Sequence, residues 1–383
     1  MNALESPAAR QIVILLGSLS AGGAERVAAT LGNAWSRQGR AVWIVSTYLG
    51  SQEPAYRLDA AVRTVFLSDV LSGRRARWHS LPSKLCALRQ VVRGIAPDVV
   101  VSFLTNVNVL AIAALAGLRV PLIVSERVYP SAKLDVPWML RLGRLLSYPL
   151  ADALVAQTPA AAERYAAQLP LVKRVEVVPN PLPRELSTSA VRSQHDGRGG
   201  CVIAMGRLTR QKGFDRLIKA FAQALGEDPS WSLHIWGEGP LRTELARLIA
   251  ELHLTNRVHL EGATNRPWEA LAGAQIFVLS SEYEGFPNAM LEAMAVGLPC
   301  VAFDCPSGPR ELSDEGLAAL MVAPGDVSGL ADAIRELALA RDARRGLGAR
   351  AAAFVRSKFS EEAVLGEWDR VFDLVTAARR QDR

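Results

Sequence analysis

The chain has 383 residues, half of them hydrophobic and 21% charged, with a net charge of +6. This composition supplies enough apolar sequence for two domains with separate cores, and it excludes a disordered or repetitive chain. No segment reaches the ~20 uninterrupted apolar residues that a membrane-spanning helix needs, so we expect a soluble protein.

The first apolar segment, "QIVILLG", follows Arg10. A basic residue before an apolar run is typical of a signal peptide, but this run has only about seven residues and ends in a glycine turn. It therefore predicts a first β-strand. In the next loop, "SLSAGGAERV", Gly22 and Gly23 let backbone approach a ligand beside a helix N-terminus; a tight turn without a ligand is the alternative.

Short apolar runs alternate with helical patterns along the whole chain, which is typical of parallel α/β domains. The alternation restarts after a Pro-, Ser- and Gly-rich passage that begins "NPLPREL". We predict two doubly wound, Rossmann-like parallel-sheet domains facing across a cleft, residues 1–182 and 183–359, with residues 360–383 forming a helix that crosses back to the first domain. The predicted strands are "QIVILLG", "AVWIVST", "DVVVSFL", "VPLIVSE", "DALVAQT" and "RVEVVPN", then "CVIAMG", "SLHIWG", "RVHLEG", "QIFVLSS", "PCVAFD" and "LAALMVA".

The charge is unevenly placed. Residues 1–184 carry 21 Lys and Arg against 11 Asp and Glu, a net +10, whereas residues 185–383 carry 23 against 27, a net −4. We expect the first half to meet something anionic, and an anionic membrane fits cationic amphipathic helices better than nucleic acid, for which no recognised module is present. Solvated faces with snorkelling arginines are the alternative. The residues concerned are Arg74, Arg75, Arg77, Trp78, Arg89, Trp138, Arg141 and Arg144.

After the strand "CVIAMG", Arg207 and Lys212 flank a turn, and Gly213 opens a helix at Phe214. A helix N-terminus has free N–H groups and a positive dipole end, so two cations beside it form a candidate diphosphate site. A solvated basic loop is the alternative interpretation.

The segment "EYEGFPNAMLEAM" places Glu284 and Glu292 eight positions apart, the second inside an apolar helical pattern. An unpaired carboxylate buried there would be destabilising, so Glu292 has a partner in the fold or faces a ligand. Each carboxylate can accept hydrogen bonds from a vicinal diol, which predicts a ligand rich in hydroxyls. A structural pair bonded to Ser, Tyr or backbone is the alternative.

Between the two glutamates, Gly285 permits close backbone approach and Pro287 removes an N–H donor where the helix begins. We expect the free N–H groups around Phe286, Asn288 and Ala289 to point into the cleft.

Cofactor chemistry leaves little signal in the chain. Cys86, Cys201, Cys300 and Cys305 have no CxxC spacing, which predicts reduced core thiols of a cytosolic protein and no metal site. The dinucleotide fingerprint GxGxxG is absent, so a nicotinamide enzyme is not expected.

The arrangement Glu284-x7-Glu292 within "EGFPNAMLEAMAVGLPCVA", with "GRLTRQKG" upstream, resembles the retaining glycosyltransferases of family 4, which have the GT-B fold. The resemblance covers nearly the whole chain, including "GGAERV", "VVPNPLP" and "FSEEAVLGEW". It implies that the second domain binds a nucleotide-sugar. The implied donor-binding residues are Arg207 and Lys212 at the diphosphate, Glu292 at the ribose, Glu284 at the sugar hydroxyls, the backbone of Phe286, Pro287 and Asn288 around the sugar, and Gly23 from the first domain.

One departure from the family concerns Glu126. Many relatives carry a His in the segment that here reads "IVSERVYP", and this chain has Glu126 and Arg127 instead. The pattern resembles a subgroup that extends polyprenyl-diphosphate-linked oligosaccharides with N-acetylgalactosamine or related sugars. Glu126 either touches the donor or acceptor, or is only paired with Arg127. With Glu284, Arg207 and Lys212 it completes the candidate catalytic set.

The resemblance implies retaining, metal-independent transfer of a hexose or N-acetylhexosamine from a UDP-linked donor to a glycan acceptor, without a cofactor, since the nucleotide-sugar is a substrate. It implies a cytoplasmic protein associated peripherally with the inner face of the cytoplasmic membrane. A nucleotide-sugar epimerase of the same fold and a noncatalytic nucleotide-sugar-binding protein are the alternatives.

Overall fold

The computed structural model describes residues 11–20, 22–48, 53–72, 80–130, 137–188 and 200–381. The chain divides into two compact units: unit 1 comprises Met1–Pro181 and Glu361–Arg383, and unit 2 comprises Leu182–Ser360. No helix among these described residues is long and apolar enough to cross a bilayer.

The strands are β1 Gln11–Leu16, β2 Ala41–Ser46, β3 Arg63–Phe66, β4 Val99–Phe103, β5 Leu122–Ser125, β6 Ala153–Ala156, β7 Val175–Val177, β8 Gly200–Met205, β9 Trp231–Trp236, β10 Val258–Gly262, β11 Ile276–Leu279, β12 Cys300–Phe303 and β13 Leu320–Val322. The α-helices are α1 Gly23–Arg37, α2 Leu67–Ser72, α3 Leu81–Ile95, α4 Thr105–Leu115, α5 Trp138–Ser147, α6 Pro159–Gln168, α7 Arg184–Thr188, α8 Phe214–Leu225, α9 Arg242–Glu251, α10 Pro267–Ala272, α11 Asn288–Ala295, α12 Pro309–Leu312, α13 Val327–Leu339, α14 Arg341–Lys358 and α15 Glu361–Gln381. Short 3-10 helices span Tyr148–Leu150 and Arg210–Lys212.

Unit 1 contains a seven-stranded parallel sheet in the order β3-β2-β1-β4-β5-β6-β7. Its strands are apolar on both faces because helices cover both. In β1, Ile12 and Ile14 face one apolar core, whereas Val13 and Leu15 face the other. The chain order reverses between β1 and β4, the position where open α/β sheets bind ligands beyond the carboxyl ends of their strands.

The strand β3 is absent from the sequence prediction. Its residues are exposed or half-buried, and it lies at the edge of the sheet beside β2. An edge strand buries little apolar surface, so its sequence, "RTVF", lacks the continuous apolar run that reveals the other strands.

The C-terminal helix α15 packs into the core of unit 1. Trp368 stands edge-on to Trp35 with ring centroids 5.8 Å apart, and Phe372 packs against both. Arg379 makes two hydrogen bonds to the buried carboxylate of Asp152, at 2.8 and 2.9 Å. Helix α15 therefore belongs to unit 1, although it lies at the C-terminal end of the sequence.

Unit 2 contains a six-stranded parallel sheet in the order β10-β9-β8-β11-β12-β13. Val202 and Ala204 of β8 face a core shared with α8 and α13, and Ile203 faces a core shared with α11 and α14. The order reverses between β8 and β11, which brings the loops after these two strands side by side. The predicted class, two Rossmann-like parallel-sheet domains, is confirmed.

Candidate functional site

The loop after β8 reaches the end of β11 through a glycine. Gly213 has φ +60°, and a Cβ atom there would lie 2.3 Å from the carbonyl oxygen of Ser280. Only glycine permits this approach without moving backbone. Ser280 in turn donates its hydroxyl to the carbonyl oxygen of Lys212 at 2.8 Å. The close approach fixes the position from which α8 begins.

Lys212 and Glu284 meet directly at this edge of the sheet. Lys212 Nζ lies 2.6 Å from Glu284 Oε1, and Glu284 is only 5% exposed. Gln211 strengthens the junction, since its side chain donates to the carbonyl oxygen of Tyr283 at 2.8 Å and its own carbonyl accepts the N–H of Glu282 at 2.8 Å. Two predicted site residues from different loops therefore form one ion pair, in which Glu284 is buried and Lys212 is partly exposed.

Arg207 differs from Lys212 in its surroundings. It follows β8 directly and its side chain is exposed, whereas the Lys212 side chain is mostly covered. Both predicted cations lie on the loop after β8, and Arg207 is the more exposed of the two.

The turn that begins α11 is built around Pro287. The carbonyl oxygen of Gly285 accepts the hydroxyl of Ser307 at 3.0 Å, and a Cβ on Gly308 would lie 2.4 Å from Pro287 Cδ. The N–H of Asn288 donates to the carbonyl oxygen of Phe286 at 3.0 Å. The expectation of a free N–H at Asn288 is therefore wrong, because the tight turn uses that donor internally.

Glu292 lies in α11 and is only 2% exposed, while its neighbours Met290, Leu291 and Met294 pack into the core of unit 2. Trp268 of α10 donates its indole N–H to Glu292 Oε2 at 3.2 Å. Sequence reasoning did not identify Trp268. The available signal was its place in "NRPWEAL", directly after β10, where a Trp N–H needs a polar partner.

The other two predicted site residues belong to unit 1. Gly23 opens α1, and a Cβ on the preceding Gly22 would lie 2.2 Å from the carboxylate of Glu25. Glu25 thus stands beside the turn for which a diphosphate contact was predicted, and its negative charge competes with an anion for that helix N-terminus.

Glu126 follows β5 and is 3% exposed. Its carboxyl accepts hydrogen bonds from Thr105 Oγ1, at 2.8 and 3.0 Å, and from the hydroxyl of Tyr148. Burial raises the pKa of Glu126, an effect that the hydrogen bond from Tyr148 and the charge of Arg144 partly offset. Burial, together with the Glu126 charge, also raises the pKa of Tyr148 well above its usual range.

Arg127 points to other partners. Its Nη1 donates to Asn180 Oδ1 at 2.5 Å, and its guanidinium carbon lies 4.2 Å from the centre of the Phe103 ring. The interpretation of Glu126 as merely paired with Arg127 is therefore wrong: the Glu126 carboxyl is held by hydroxyl groups. The hydroxyl donors Thr105 and Tyr148 were not identified from the sequence.

The arginines predicted to face a membrane have mixed outcomes. Arg89 donates to the carbonyl oxygens of Ala114 and Ala116, at 2.9 and 2.7 Å, and so serves the end of α4. Arg144 lies over the ring of Tyr165 on the inner side of α5, whereas Arg141 is exposed. The predicted residues Arg74, Arg75, Arg77 and Trp78 lie outside the described residues.

The same helix α5 exposes large apolar side chains on its outer side. Trp138 is 71% exposed, and no acidic residue occurs from 137 to 151. The exposed residues of this face, called here the α5 face, are Trp138, Met139, Leu142, Leu145, Leu146 and, in the following 3-10 turn, Leu150.

The cysteines are free thiols, but not all lie in the core. Cys300 and Cys305 are buried and Cys201 is half-buried, whereas Cys86 is exposed, which corrects the prediction for that residue. Burial raises the pKa of Cys201 and of Cys305 to about 12, so neither is a reactive thiolate. Within the described ranges, no group of three or more His, Cys, Asp or Glu side chains is arranged to hold a metal ion.

Two family models match the chain. The model for Glycosyltransferase Family 4 matches residues 21–186, and the model for glycosyl transferases group 1 matches residues 188–354.

Curated relatives match over different lengths. The lipopolysaccharide core biosynthesis glycosyltransferase LpsE of Rhizobium meliloti is 30% identical over 235 residues, which cover 58% of this chain and 67% of LpsE. A Campylobacter jejuni enzyme, N-acetylgalactosamine-N,N'-diacetylbacillosaminyl-diphospho-undecaprenol 4-alpha-N-acetylgalactosaminyltransferase, is 26% identical over 366 residues, which cover 93% of this chain and 98% of the enzyme. The chain spans only 25% and 43% of the length of two further relatives, at 33% and 34% identity.

Among solved structures, a mutant of S. aureus TarM in complex with fondaparinux, alpha-GlcNAc-glycerol and UDP has a TM-score of 0.81 at 13% identity. The match covers 95% of this chain and 100% of that one. The two sheets are those of the GT-B fold, as the sequence resemblance implied.

Proposed function

The chain belongs to the family 4 and group 1 glycosyltransferases, and from this premise we propose that it transfers a hexose or N-acetylhexosamine from a UDP-linked donor to a glycan carried on polyprenyl diphosphate. The proposal includes retention of configuration at the transferred sugar and a reaction that needs no metal ion. The Campylobacter relative, whose name specifies a diphospho-undecaprenol-linked acceptor, supports the acceptor class.

The observation that carries the proposal is the Lys212–Glu284 ion pair at the reversal of strand order in unit 2. A cation and a carboxylate held together beyond the strand ends suit a ligand that is anionic at one end and rich in hydroxyls at the other. A nucleotide-sugar has this chemistry: its diphosphate requires donors and its sugar requires acceptors.

Each residue then has a distinct part in the reaction. Arg207 and Lys212 bind the diphosphate and stabilise the negative charge that grows on it as the anomeric bond breaks. Glu284 accepts hydrogen bonds from sugar hydroxyls and orients the ring. The leaving diphosphate takes the proton of the acceptor hydroxyl on the same face of the sugar.

Glu292 binds the ribose in this scheme. Trp268 donates to one carboxylate oxygen of Glu292, and the carboxylate accepts hydrogen bonds from the ribose hydroxyls when the donor is bound. The backbone of Phe286, Pro287 and Asn288 lines the sugar site.

Glu126 is proposed to act on the acceptor or donor sugar from unit 1. Because burial raises its pKa, its carboxyl holds a proton more readily than an exposed glutamate and can donate as well as accept a hydrogen bond. Sugar hydroxyls do both, so the group suits them.

The proposed site of action is the inner face of the cytoplasmic membrane, where such an acceptor lies. The α5 face supports peripheral binding, because a patch of large exposed apolar side chains with Arg141 beside it and no acidic residue fits an anionic lipid surface. Apolar contact thus takes the place of Arg89 and Arg144, which make contacts within the unit.

A donor screen tests the reaction. Nucleotide-sugars carrying radiolabelled sugars are incubated with polyprenyl-diphosphate-linked acceptors, and label is followed into the lipid-linked product. We expect transfer from one UDP-sugar, with the α-anomer retained by NMR of the product. Turnover of the UDP-sugar without acceptor would indicate an epimerase, and binding without turnover a noncatalytic protein; either result contradicts the proposal.

Liposome flotation tests the membrane partner. We expect wild type to float with anionic vesicles and the Leu142→Glu/Leu146→Glu variant to bind at least tenfold less, since each buried leucine contributes about 1.5–3 kcal/mol. Leu171→Glu is the matched control, because Leu171 is 73% exposed in unit 1 but lies outside the α5 face. Equal flotation of all three proteins would remove α5 from the proposal.

A further inference from the structure

Four neighbouring strands of unit 1 end in side chains that form one cluster. Phe103 is the last residue of β4, and Arg127, Gln157 and Asn180 follow β5, β6 and β7. The Arg127 guanidinium stacks on the Phe103 ring, and its Nη1 donates to Asn180 Oδ1. Gln157 Nε2 donates to the same oxygen at 2.7 Å. Stacking and hydrogen bonding together fix the plane and the direction of the guanidinium.

One edge of that guanidinium makes no hydrogen bond to the described residues. Nε and Nη2 of Arg127 share one edge, both atoms are buried, and neither makes a hydrogen bond to the described part of the chain. Gln157 Oε1 is likewise buried without a partner among those residues. Two parallel N–H donors on one edge have the geometry that binds two oxygens of a phosphate or carboxylate at once.

A guanidinium whose Nε and Nη2 are buried without an anion is unfavourable, and burial lowers the pKa of Arg127 to about 9. Neighbouring Glu126 does not compensate for it, since the Glu126 carboxyl accepts from Thr105 and Tyr148. The ring of Phe103 offers a cation–π contact, but that contact leaves the in-plane donors unused. Buried donors without partners are rare in folded proteins, and an ion that completes the site is one of the arrangements that account for them.

The backbone beside the cluster is also in a rare conformation. Leu104, between Phe103 and Thr105, has φ +76°, a region that residues with a Cβ seldom adopt. The strand end holds it there, because the Leu104 N–H donates to the carbonyl oxygen of Ser125 at 3.1 Å. This conformation places Phe103 under Arg127 and Thr105 on Glu126, and such outliers cluster at ligand sites.

We propose that the Nε–Nη2 edge of Arg127 binds a phosphate group of a substrate through two parallel hydrogen bonds. The choice of phosphate as the bound anion rests on the proposed function, in which the donor and the acceptor each carry a diphosphate. A substrate hydroxyl beside the phosphate satisfies Gln157 Oε1. Because both nitrogen atoms are covered, binding requires neighbouring side chains to move, but the fold has already removed water from the guanidinium, which strengthens the contact once formed.

Calorimetric titration with inorganic pyrophosphate tests the site on the full chain, with and without saturating UDP. Arg127→Gln should weaken pyrophosphate binding at least tenfold, as expected for the loss of charge-assisted hydrogen bonds. Arg127→Lys keeps the charge but loses the fork, so its affinity should fall between the two. Arg93→Gln, an exposed arginine of α3 in the same unit, is the control and should bind like wild type.

Saturating UDP identifies the source of the phosphate. If the difference between wild type and Arg127→Gln persists with UDP bound, Arg127 binds the diphosphate of the acceptor; if UDP abolishes it, Arg127 binds the diphosphate of the donor. Equal pyrophosphate affinity of the two proteins in both conditions overturns the proposal, as does a wild type that binds no pyrophosphate.

The melting temperature of Arg127→Gln distinguishes a ligand-binding role of Arg127 from a structural role. Since Arg127→Gln removes a buried charge without an anionic partner, its melting temperature should equal or exceed that of wild type while pyrophosphate binding falls. A lower melting temperature would assign Arg127 to the fold and contradict the proposal. The proposed function fails by a different result. In that case wild type transfers no sugar, although it still binds pyrophosphate through Arg127.

Discussion

Two buried carboxyl groups follow parallel strands of this protein and are held in opposite ways. Glu284, after β11 of unit 2, has the ammonium group of Lys212 at 2.6 Å. Glu126, after β5 of unit 1, has the hydroxyls of Thr105 and Tyr148. A cation stabilises only the ionised form of a carboxyl group, whereas a hydroxyl can serve either form because it both donates and accepts.

The difference assigns different chemistry to the two positions. Glu284, with the ammonium group of Lys212 beside it, is suited to accept hydrogen bonds, as a residue that binds sugar hydroxyls must. Glu126 is built to tolerate a proton, and burial raises its pKa accordingly. Equal burial therefore does not mean equal function; the charge of the nearest donor decides.

We expect the largest change in stability when the cation of the ion pair is removed. Lys212→Met leaves Glu284 buried without its cation, which should lower the free energy of unfolding by about 3 kcal/mol, the lower end for buried pairs because the Lys212 side chain keeps some exposure. Urea unfolding monitored by circular dichroism measures it. The same variant should also lose nucleoside-diphosphate affinity in calorimetry.

The double variant Lys212→Met/Glu284→Gln sharpens the measurement. Removing the second charge should recover most of the lost stability, because no bare carboxylate then remains. Tyr148→Phe is the matched change at Glu126. It removes the hydrogen bond to Glu126 and the one that Tyr148 accepts from Asn108 Nδ2 at 3.0 Å, so it should lower the free energy of unfolding by about 2 kcal/mol, since the carboxyl can take up a proton. Equal losses for Lys212→Met and Tyr148→Phe would refute the distinction between the two carboxyl groups.

The second effect compares Glu284 with Glu292, the third buried carboxylate, which Trp268 holds. Glu284→Gln should reduce kcat, because Glu284 orients the reacting sugar, and should leave the affinity for UDP nearly unchanged. Glu292→Gln should raise the donor KM and weaken UDP binding about tenfold, because the ribose is bound alike before and during the reaction. If Glu284→Gln were the variant that lost UDP affinity, the two assignments would be reversed.

Much of this arrangement was predictable from sequence, and the limits have physical causes. The apolar runs predicted both sheets, because buried parallel strands need apolar residues on both faces. Lys212 and Glu284 were identified, but not as a pair, because their contact depends on β8 lying beside β11, a crossover that the order of the sequence does not display. Tyr148 lies in the apolar run "LLSYPLA", so its polar tip was overlooked, and Trp268, between Arg266 and Glu269, belongs to no motif that marks it.

The smallest expected effect is the pH dependence of Glu126. Its pKa in the folded state lies above the ordinary value of 4.5, so the folded protein binds this proton more tightly than the unfolded chain does. Its contribution to stability is therefore fully present below that value and is lost as the pH rises through the folded pKa. Glu126→Gln has no proton to lose, so its free energy of unfolding should rise relative to that of wild type as the pH increases from 4.5 through the folded pKa of Glu126. Urea unfolding at several pH values measures the change, with Glu163→Gln, an exposed glutamate of α6, as the control that should follow wild type. A constant difference between Glu126→Gln and wild type would mean that Glu126 titrates alike in the folded and unfolded chain. The hydroxyls of Thr105 and Tyr148 would then hold a permanent charge, and the contrast with Glu284 would be one of partners alone.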